Sequence, residues 1–137
     1  MKRHTAVPSD AAQLPILTQF LQEFWSAADL PPAETVTFEL ALEEIFMNVV
    51  MHGTPAGCKT SVEVSLALSG DSLTLAVEDE GPAFDPMTLP APDVQAPLEE
   101  RQVGGLGVYF VRQMMDTVSY ARVGPRNRLR MSKHVER

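Results

Sequence analysis

The stretch ALEEIFMNVVMHG, residues 41–53, combines a helical apolar pattern with a stripe of polar side chains. Glu44, Asn48 and His52 are spaced four residues apart, so they share one face of a helix. A carboxylate on an otherwise apolar helix is costly unless it is paired or hydrogen-bonded. The stripe therefore indicates either a solvated helix face capped by His52, or a site in which Asn48 binds Mg²⁺ and Glu44 acts as a general base.

The helix that carries this stripe is predicted to run from about residue 33 to residue 51, with Gly53 as its C-terminal stop. An amphipathic helix precedes it, because apolar residues recur at steps of three and four in residues 14–28. Pro15 is tolerable there only if it lies near the first turn.

Strand patterns flank the helices. Residues 60–68 and 73–79 alternate between apolar and polar, which predicts an antiparallel hairpin with one buried face. Residues 117–123 and 127–134 indicate a second hairpin around the turn GPRN, and residues 3–7 a short edge strand. The fold class expected from this order is α+β, a two-layer sandwich whose mostly antiparallel mixed sheet is covered on one face by about three helices.

Residues 86–103, PMTLPAPDVQAPLEERQV, change character, with four prolines and no regular period. A long irregular segment inside a small domain is uncommon and often functional, so a lid is predicted here. A disordered insertion is the alternative interpretation.

Two further motifs carry candidate binding groups. Asp79 ends a predicted strand in EDEGPAFDP, residues 78–86, where Gly81 allows close backbone approach. This carboxylate can accept a hydrogen bond from the adenine amino group, or it can belong to an ordinary acidic turn. In GGLG, residues 104–107, glycines open a third predicted helix, and free amides at a helix start bind phosphate. GGLG is not a Walker A loop, because the Gly-Lys-Ser/Thr ending of that loop is missing. The alternative interpretation of GGLG is a flexible hinge.

The composition restricts the class of protein. The 137 residues are 45% hydrophobic and 21% charged, which fits one domain over residues 1–137. No apolar run approaches the roughly 20 residues of a membrane span, and the stretch MKRHTAVPSD shows no signal peptide. The single cysteine, Cys58, excludes an internal disulfide, so a cytoplasmic location is expected.

Charge is unevenly distributed along the chain. The net charge of −7 argues against a nucleic-acid-binding protein. Residues 1–100 hold 16 acidic and 3 basic residues, whereas residues 101–137 hold 2 acidic and 8 basic residues. The basic quarter could serve a phosphate or an acidic partner, or could be a solvated strand face.

In combination and in this order, the motifs resemble those of the GHKL (Bergerat-fold) ATPase superfamily, the histidine-kinase-like ATPase domains. ELALEEIFMNVVMHG (residues 39–53) is similar to its N box, EDEGPAFDP (residues 78–86) to its first glycine box, and GGLGVYFVRQMMD (residues 104–116) to its second. Within that superfamily the chain resembles the anti-sigma factor serine/threonine kinases over about residues 5–134. His52 matches the end of the N box, where a structural role is expected.

This resemblance implies ATP and Mg²⁺ as ligands. Asn48 would coordinate Mg²⁺ between the phosphates, and Glu44 would be the base that activates the acceptor hydroxyl. Asp79 would bind the adenine amino group, with Gly81 close to the base. Residues 86–103 would form the ATP lid. The second glycine box supplies the remaining ATP-binding positions, Gly104, Gly105, Leu106 and Gly107, of which the glycines would contact the phosphates.

Two departures from the family pattern stand out. Ala83, preceded by Pro82, replaces the second glycine of the first glycine box. The sequence GPRNRL stands where histidine kinases have a late Gly-x-Gly-Thr element. Arg126, Arg128 and Arg130 alternate along the last predicted strand and so share a face. A phosphate or partner role for these arginines is a hypothesis.

The resemblance implies a protein serine/threonine kinase that phosphorylates a STAS-type anti-sigma-factor antagonist and that could also sequester a sigma factor. A nucleotide-dependent binding module that captures a partner without phosphoryl transfer is the first alternative. The second is the ATP-binding part of a split histidine kinase, but the residues before the N box are too few for its phosphoacceptor hairpin. Direct contact with nucleic acid or membrane is not expected. A homodimer through exposed apolar residues of the first helix is a candidate assembly.

Overall fold

The computed structural model describes residues 1–52, 60–86 and 105–136. Five strands and three helices account for most of them. The strands are β1 (Lys2–Pro8), β2 (Ser61–Ser69), β3 (Ser72–Asp79), β4 (Thr117–Val123) and β5 (Arg126–His134). The helices are α1 (Leu14–Ala27), α2 (Thr35–His52) and α3 (Gly105–Met114), and short 3-10 turns at Ala11–Gln13 and Pro32–Glu34 precede α1 and α2.

The strands form one open sheet in the order β1-β2-β3-β5-β4. Every neighbouring pair is antiparallel, so the described sheet is antiparallel throughout rather than mixed. The two predicted hairpins, β2–β3 and β4–β5, are confirmed. Their turns contain Gly70 at φ 61° and Gly124 at φ 59°, backbone conformations that glycine adopts without strain.

Large apolar side chains fill the space between the helices and one face of the sheet, which confirms the α+β two-layer sandwich. The alternation along the strands decides which side chains face the helices, because successive residues of a strand point to opposite faces. The core-facing stripe of the central strands is fully buried, and it consists of Val62, Val64 and Leu66 on β2 and Leu73, Leu75 and Val77 on β3.

Helix α2 is central to the helical layer and packs against α1, α3 and β3. It begins two residues after the predicted start and ends one residue after the predicted end. Its buried side chains are apolar with one exception, Asn48. Helix α1 has Pro15 in its first turn, as expected.

No helix among the described residues has the length and apolar character needed to cross a membrane. The predicted lid, residues 86–103, lies outside the described residues except for Pro86. Gly53, Cys58 and Gly104 also lie outside them.

Candidate functional site

A pocket lies between α2 and the ends of β3 and β5. Of the four buried polar residues in the described part of the chain, three line this pocket: Asn48 from α2, Asp79 from β3 and Asn127 from β5. Its apolar walls include Ile45, Val49, Val77, Phe84, Tyr120 and Leu129. An apolar cleft with a few convergent polar groups is the arrangement expected of a small-molecule site.

Asp79 is the last residue of β3, on the stripe that faces the helices. The Gly81 backbone N–H donates to Asp79 Oδ1 at 2.8 Å, and Asn127 Nδ2 donates to the same oxygen at 3.1 Å. Asp79 Oδ2 accepts no hydrogen bond from the described residues. The residue predicted to bind adenine therefore lies in the pocket, with one oxygen hydrogen-bonded and the other without a partner among the described residues.

Asn127 was not among the residues predicted from the sequence. It pairs with Asp79 in the β3–β5 register and is 5% exposed. A signal was present, because the alternation that turns the neighbouring arginines to one face turns residue 127 to the buried face. An amide on that stripe needs hydrogen-bond partners.

The second hairpin also holds the segment after β3 from outside the pocket. Arg122 Nη1 donates to the Gly81 carbonyl oxygen at 2.7 Å. Arg126 Nη2 donates to Glu80 at 3.1 Å. Together with Asn127, these contacts fix the backbone on both sides of Gly81.

Asn48 is buried on α2 at 5% exposure, and its Nδ2 has no hydrogen-bond partner among the described residues. A buried polar atom without a partner costs about 1–3 kcal/mol, so such an atom suggests a ligand. Half a turn of the amide exchanges Nδ2 for Oδ1, which makes the group either a donor or a metal ligand.

Glu44 is half-buried one turn before Asn48, and its side chain lies against Gly107 of α3. A Cβ built on Gly107 would fall 1.9 Å from Glu44 Oε2. The close approach of these two residues therefore requires glycine at position 107. Burial, followed by the negative charge of Glu43, raises the pKa of Glu44.

The remaining predicted positions are located as follows. Gly105 begins α3, as expected, and Leu106 follows it within the helix. His52 ends α2 with its ring centroid 5.7 Å from that of Phe84, in the segment after β3. This ring contact fits the structural role expected of His52.

Arg126, Arg128 and Arg130 lie on the sheet face opposite the helices, away from the pocket. Arg126 pairs with Glu63 at 2.7 Å, and Arg128 pairs with Glu78. Burial opposes the charged form of Glu78, but the hydrogen bonds and charges of Arg128 and Arg126 outweigh it and hold the Glu78 pKa below its ordinary value. This pairing favours a structural role for Arg126 and Arg128.

Comparisons with known proteins bear on the family and the fold of the chain. The chain is 28% identical over 114 residues to the serine/threonine-protein kinase BtrW of Bordetella bronchiseptica. The matched residues cover 83% of this chain and 77% of BtrW. Among solved structures, it is similar to the RsbU and RsbW domains of Rv1364c from Mycobacterium tuberculosis, with a TM-score of 0.69 at 14% identity. That match covers all of this chain and 33% of the other, so the chain spans one third of that protein's length.

A second solved structure, the Acinetobacter baumannii histidine kinase AdeS, matches with a TM-score of 0.53 at 16% identity, over 98% of this chain and 70% of the other. At these identities the two structural matches establish the fold alone. The family comparison goes further, because residues 7–133 match the histidine kinase-like ATPase domain over nearly the whole chain. Membership of that family implies an ATP site. The chain therefore belongs to the family of histidine kinase-like ATPase domains.

Proposed function

We propose that this protein is an ATP-dependent protein serine/threonine kinase whose substrate is a STAS-type anti-sigma-factor antagonist. One observation carries the ATP-binding part of the proposal: the buried residues Asn48 and Asp79 line one pocket, and Asn48 Nδ2 has no hydrogen-bond partner among the described residues. The similarity to BtrW, named as a serine/threonine-protein kinase, supports the choice of reaction.

The side chains that line the pocket suit a bound nucleotide by their chemistry. The apolar walls suit a purine ring, and Asp79 Oδ2 can accept the amino group of adenine. Gly107, which lacks a Cβ and lies against Glu44, and Gly105 at the start of α3 are proposed to contact the phosphates, together with Gly104 and Leu106.

The buried amide of Asn48 fits a magnesium site, because Mg²⁺ prefers oxygen ligands and keeps few of them from the protein. Asn48 Oδ1 is the proposed ligand. When bound, Mg²⁺ would neutralise charge on the phosphates. Asn48 thereby serves both predicted roles, ATP binding and metal binding.

Glu44 is the proposed general base. In the transfer step the acceptor hydroxyl oxygen bonds to the γ-phosphorus, the bond from that phosphorus to the ADP oxygen breaks, and the hydroxyl proton passes to the Glu44 carboxylate. The raised pKa of Glu44 makes its carboxylate a stronger base than an exposed glutamate. Its contact with Gly107 keeps the carboxylate beside the proposed phosphate site.

An antagonist with a serine or threonine acceptor is the proposed substrate, and a sigma factor is a second proposed partner. Ile16 on α1 is 52% exposed and is the proposed contact of a homodimer. The predicted lid and the cytoplasmic location stay predictions.

Transfer of label from γ-labelled ATP tests this function. The wild-type protein is incubated with a STAS-domain protein from the same genome, in parallel with Glu44→Gln and the control Glu43→Gln. Label on a serine or threonine of the STAS protein, lost in Glu44→Gln and kept in Glu43→Gln, is expected. Equal labelling with Glu44→Gln would contradict the role of the base. ATP-dependent capture of the STAS protein without label would instead select the binding module.

A further inference from the structure

The two oxygens of the Asp79 carboxylate have different surroundings. Oδ1 accepts two hydrogen bonds, from the Gly81 N–H at 2.8 Å and from Asn127 Nδ2 at 3.1 Å. Oδ2 accepts none from the described residues, although it belongs to a side chain that lines the pocket. Asp79 therefore has one oxygen, Oδ2, rather than two that can accept a hydrogen bond from a ligand in the pocket.

Asn127 is itself held in one orientation. Its Nδ2 also donates to the Pro82 carbonyl oxygen at 2.8 Å, and its Oδ1 accepts from the Phe84 N–H at 3.2 Å and from the Tyr120 hydroxyl. If the amide turned by half a turn, Nδ2 would face the Phe84 N–H and the Tyr120 hydroxyl. The amide oxygen Oδ1 would then face the Asp79 carboxylate. Turning the amide would therefore lose its bonds with Asp79, the Pro82 carbonyl and the Phe84 N–H, and only the Tyr120 hydroxyl, which can also accept, could keep one.

This asymmetry distinguishes between purine bases. Adenine presents one donor group, its exocyclic amine, beside an acceptor nitrogen. Guanine presents two adjacent donors, N1–H and the exocyclic amine, which bind a carboxylate best through both of its oxygens at once. With Oδ1 already occupied, Asp79 can satisfy adenine but only half of the guanine pair.

We propose that Asn127 makes the site select adenine over guanine by occupying one of the two Asp79 oxygens. Asn127 acts through Asp79 and is a positioning residue. The inference rests on the proposed function in one respect, that the base binds at Asp79. When binding of the wrong ligand would leave buried polar groups without hydrogen-bond partners, a site rejects that ligand strongly.

Nucleotide affinities measured by calorimetry test this inference. The dissociation constants of Mg·ATP and Mg·GTP are measured for the wild type and for Asn127→Leu, which has a similar volume but no hydrogen-bonding groups. The ratio of the GTP constant to the ATP constant is expected to fall about tenfold or more in Asn127→Leu. An unchanged ratio would overturn the inference, because a residue that only supports the loop would weaken both nucleotides equally.

Tyr120→Phe is a milder variant in case Asn127→Leu fails to fold. It removes only the hydroxyl that donates to Asn127 Oδ1, so the ratio is expected to fall by a smaller factor. Arg122→Gln is the matched control, because Arg122 contacts the Gly81 carbonyl and not Asp79. Its ratio is expected to equal that of the wild type, and a fall as large as that of the Asn127 variant would overturn the inference.

The outcomes separate this inference from the proposed function. A wild type that binds ATP and GTP equally overturns the inference and leaves ATP binding intact. A wild type that binds ATP selectively but transfers no phosphate overturns the kinase proposal alone. A wild type that binds neither nucleotide overturns both.

Discussion

The Glu44 carboxylate and the Gly107 backbone lie in direct contact, so that a Cβ on residue 107 would fall 1.9 Å from Glu44 Oε2 and 2.2 Å from Glu44 Cδ. The contact joins the middle of α2 to the first turn of α3. It brings together residues from the first and third sequence motifs, which are 63 positions apart in the chain. Their proximity places the proposed base beside the proposed phosphate site.

Gly107→Ala is expected to reduce phosphoryl transfer without reducing stability. The added methyl group would push the flexible end of Glu44 away, whereas alanine is favoured over glycine in a helix by roughly 0.5–1 kcal/mol. We expect a fall in the transfer rate of about tenfold or more and an unchanged or higher melting temperature. A full rate in Gly107→Ala would show that the position of Glu44 does not matter for transfer.

The pH dependence of transfer should reflect the raised pKa of Glu44. A base is active when deprotonated, so the rate should rise with pH through the Glu44 pKa, which is raised above its ordinary value. Glu43→Gln removes a neighbouring negative charge and should move this rise to lower pH. A rise that stays in place in Glu43→Gln would argue against Glu44 as the titrating group.

The same shift has a consequence for stability. The pKa of Glu44 is raised on folding, so folding favours the protonated carboxyl. The stability that this carboxyl contributes is fully present below its unfolded pKa and is lost as the pH rises through its folded pKa. Glu44→Gln should therefore gain stability relative to the wild type at neutral pH, measured as the midpoint of urea unfolding. A variant that is less stable than the wild type at neutral pH would contradict this.

Asp79→Asn is expected to weaken ATP binding about tenfold or more, because a hydrogen bond to a charged group contributes roughly 1.5–3 kcal/mol. Glu80→Gln is the matched control, since its neighbouring carboxylate contacts Arg126 outside the pocket. Isothermal titration with ATP measures both. Equal affinities of the two variants would remove Asp79 from the proposed adenine site.

Arg130→Glu should leave ATP affinity within about twofold of the wild type, because the residue is exposed on the opposite sheet face and screened by solvent. The same variant tests a partner role for this face when the STAS-domain protein is titrated. A large loss of ATP affinity would mean that the arginine face reaches the nucleotide.

Much of this architecture could be predicted from local sequence patterns. The four-residue spacing of Glu44 and Asn48 placed both on one face of a helix, and the strand alternation predicted both hairpins. These features depend on periodicity within a single element. The start of α3 at Gly105 followed from the glycine run in the same way.

The partnership of Asp79 and Asn127 could not be predicted in this manner. It depends on the β3–β5 register, which joins strands separated by α3 and β4 in the chain. The alternation Arg126-Asn127-Arg128 predicts a shared face for the arginines, whereas the side chain that lines the pocket is that of Asn127 between them. Long-range pairing of this kind is set by the packing of the whole sheet rather than by any one segment.

Asn48 provides the most direct test of a Mg·ATP site in this pocket. Asn48→Leu replaces a buried amide, whose Nδ2 lacks a partner, with an apolar group of similar size, so the variant should be at least as stable as the wild type. ATP affinity is measured by calorimetry with and without Mg²⁺ for both proteins. We predict that Mg²⁺ strengthens ATP binding to the wild type and has little effect on ATP binding to Asn48→Leu. An equal strengthening by Mg²⁺ in a folded Asn48→Leu would contradict it.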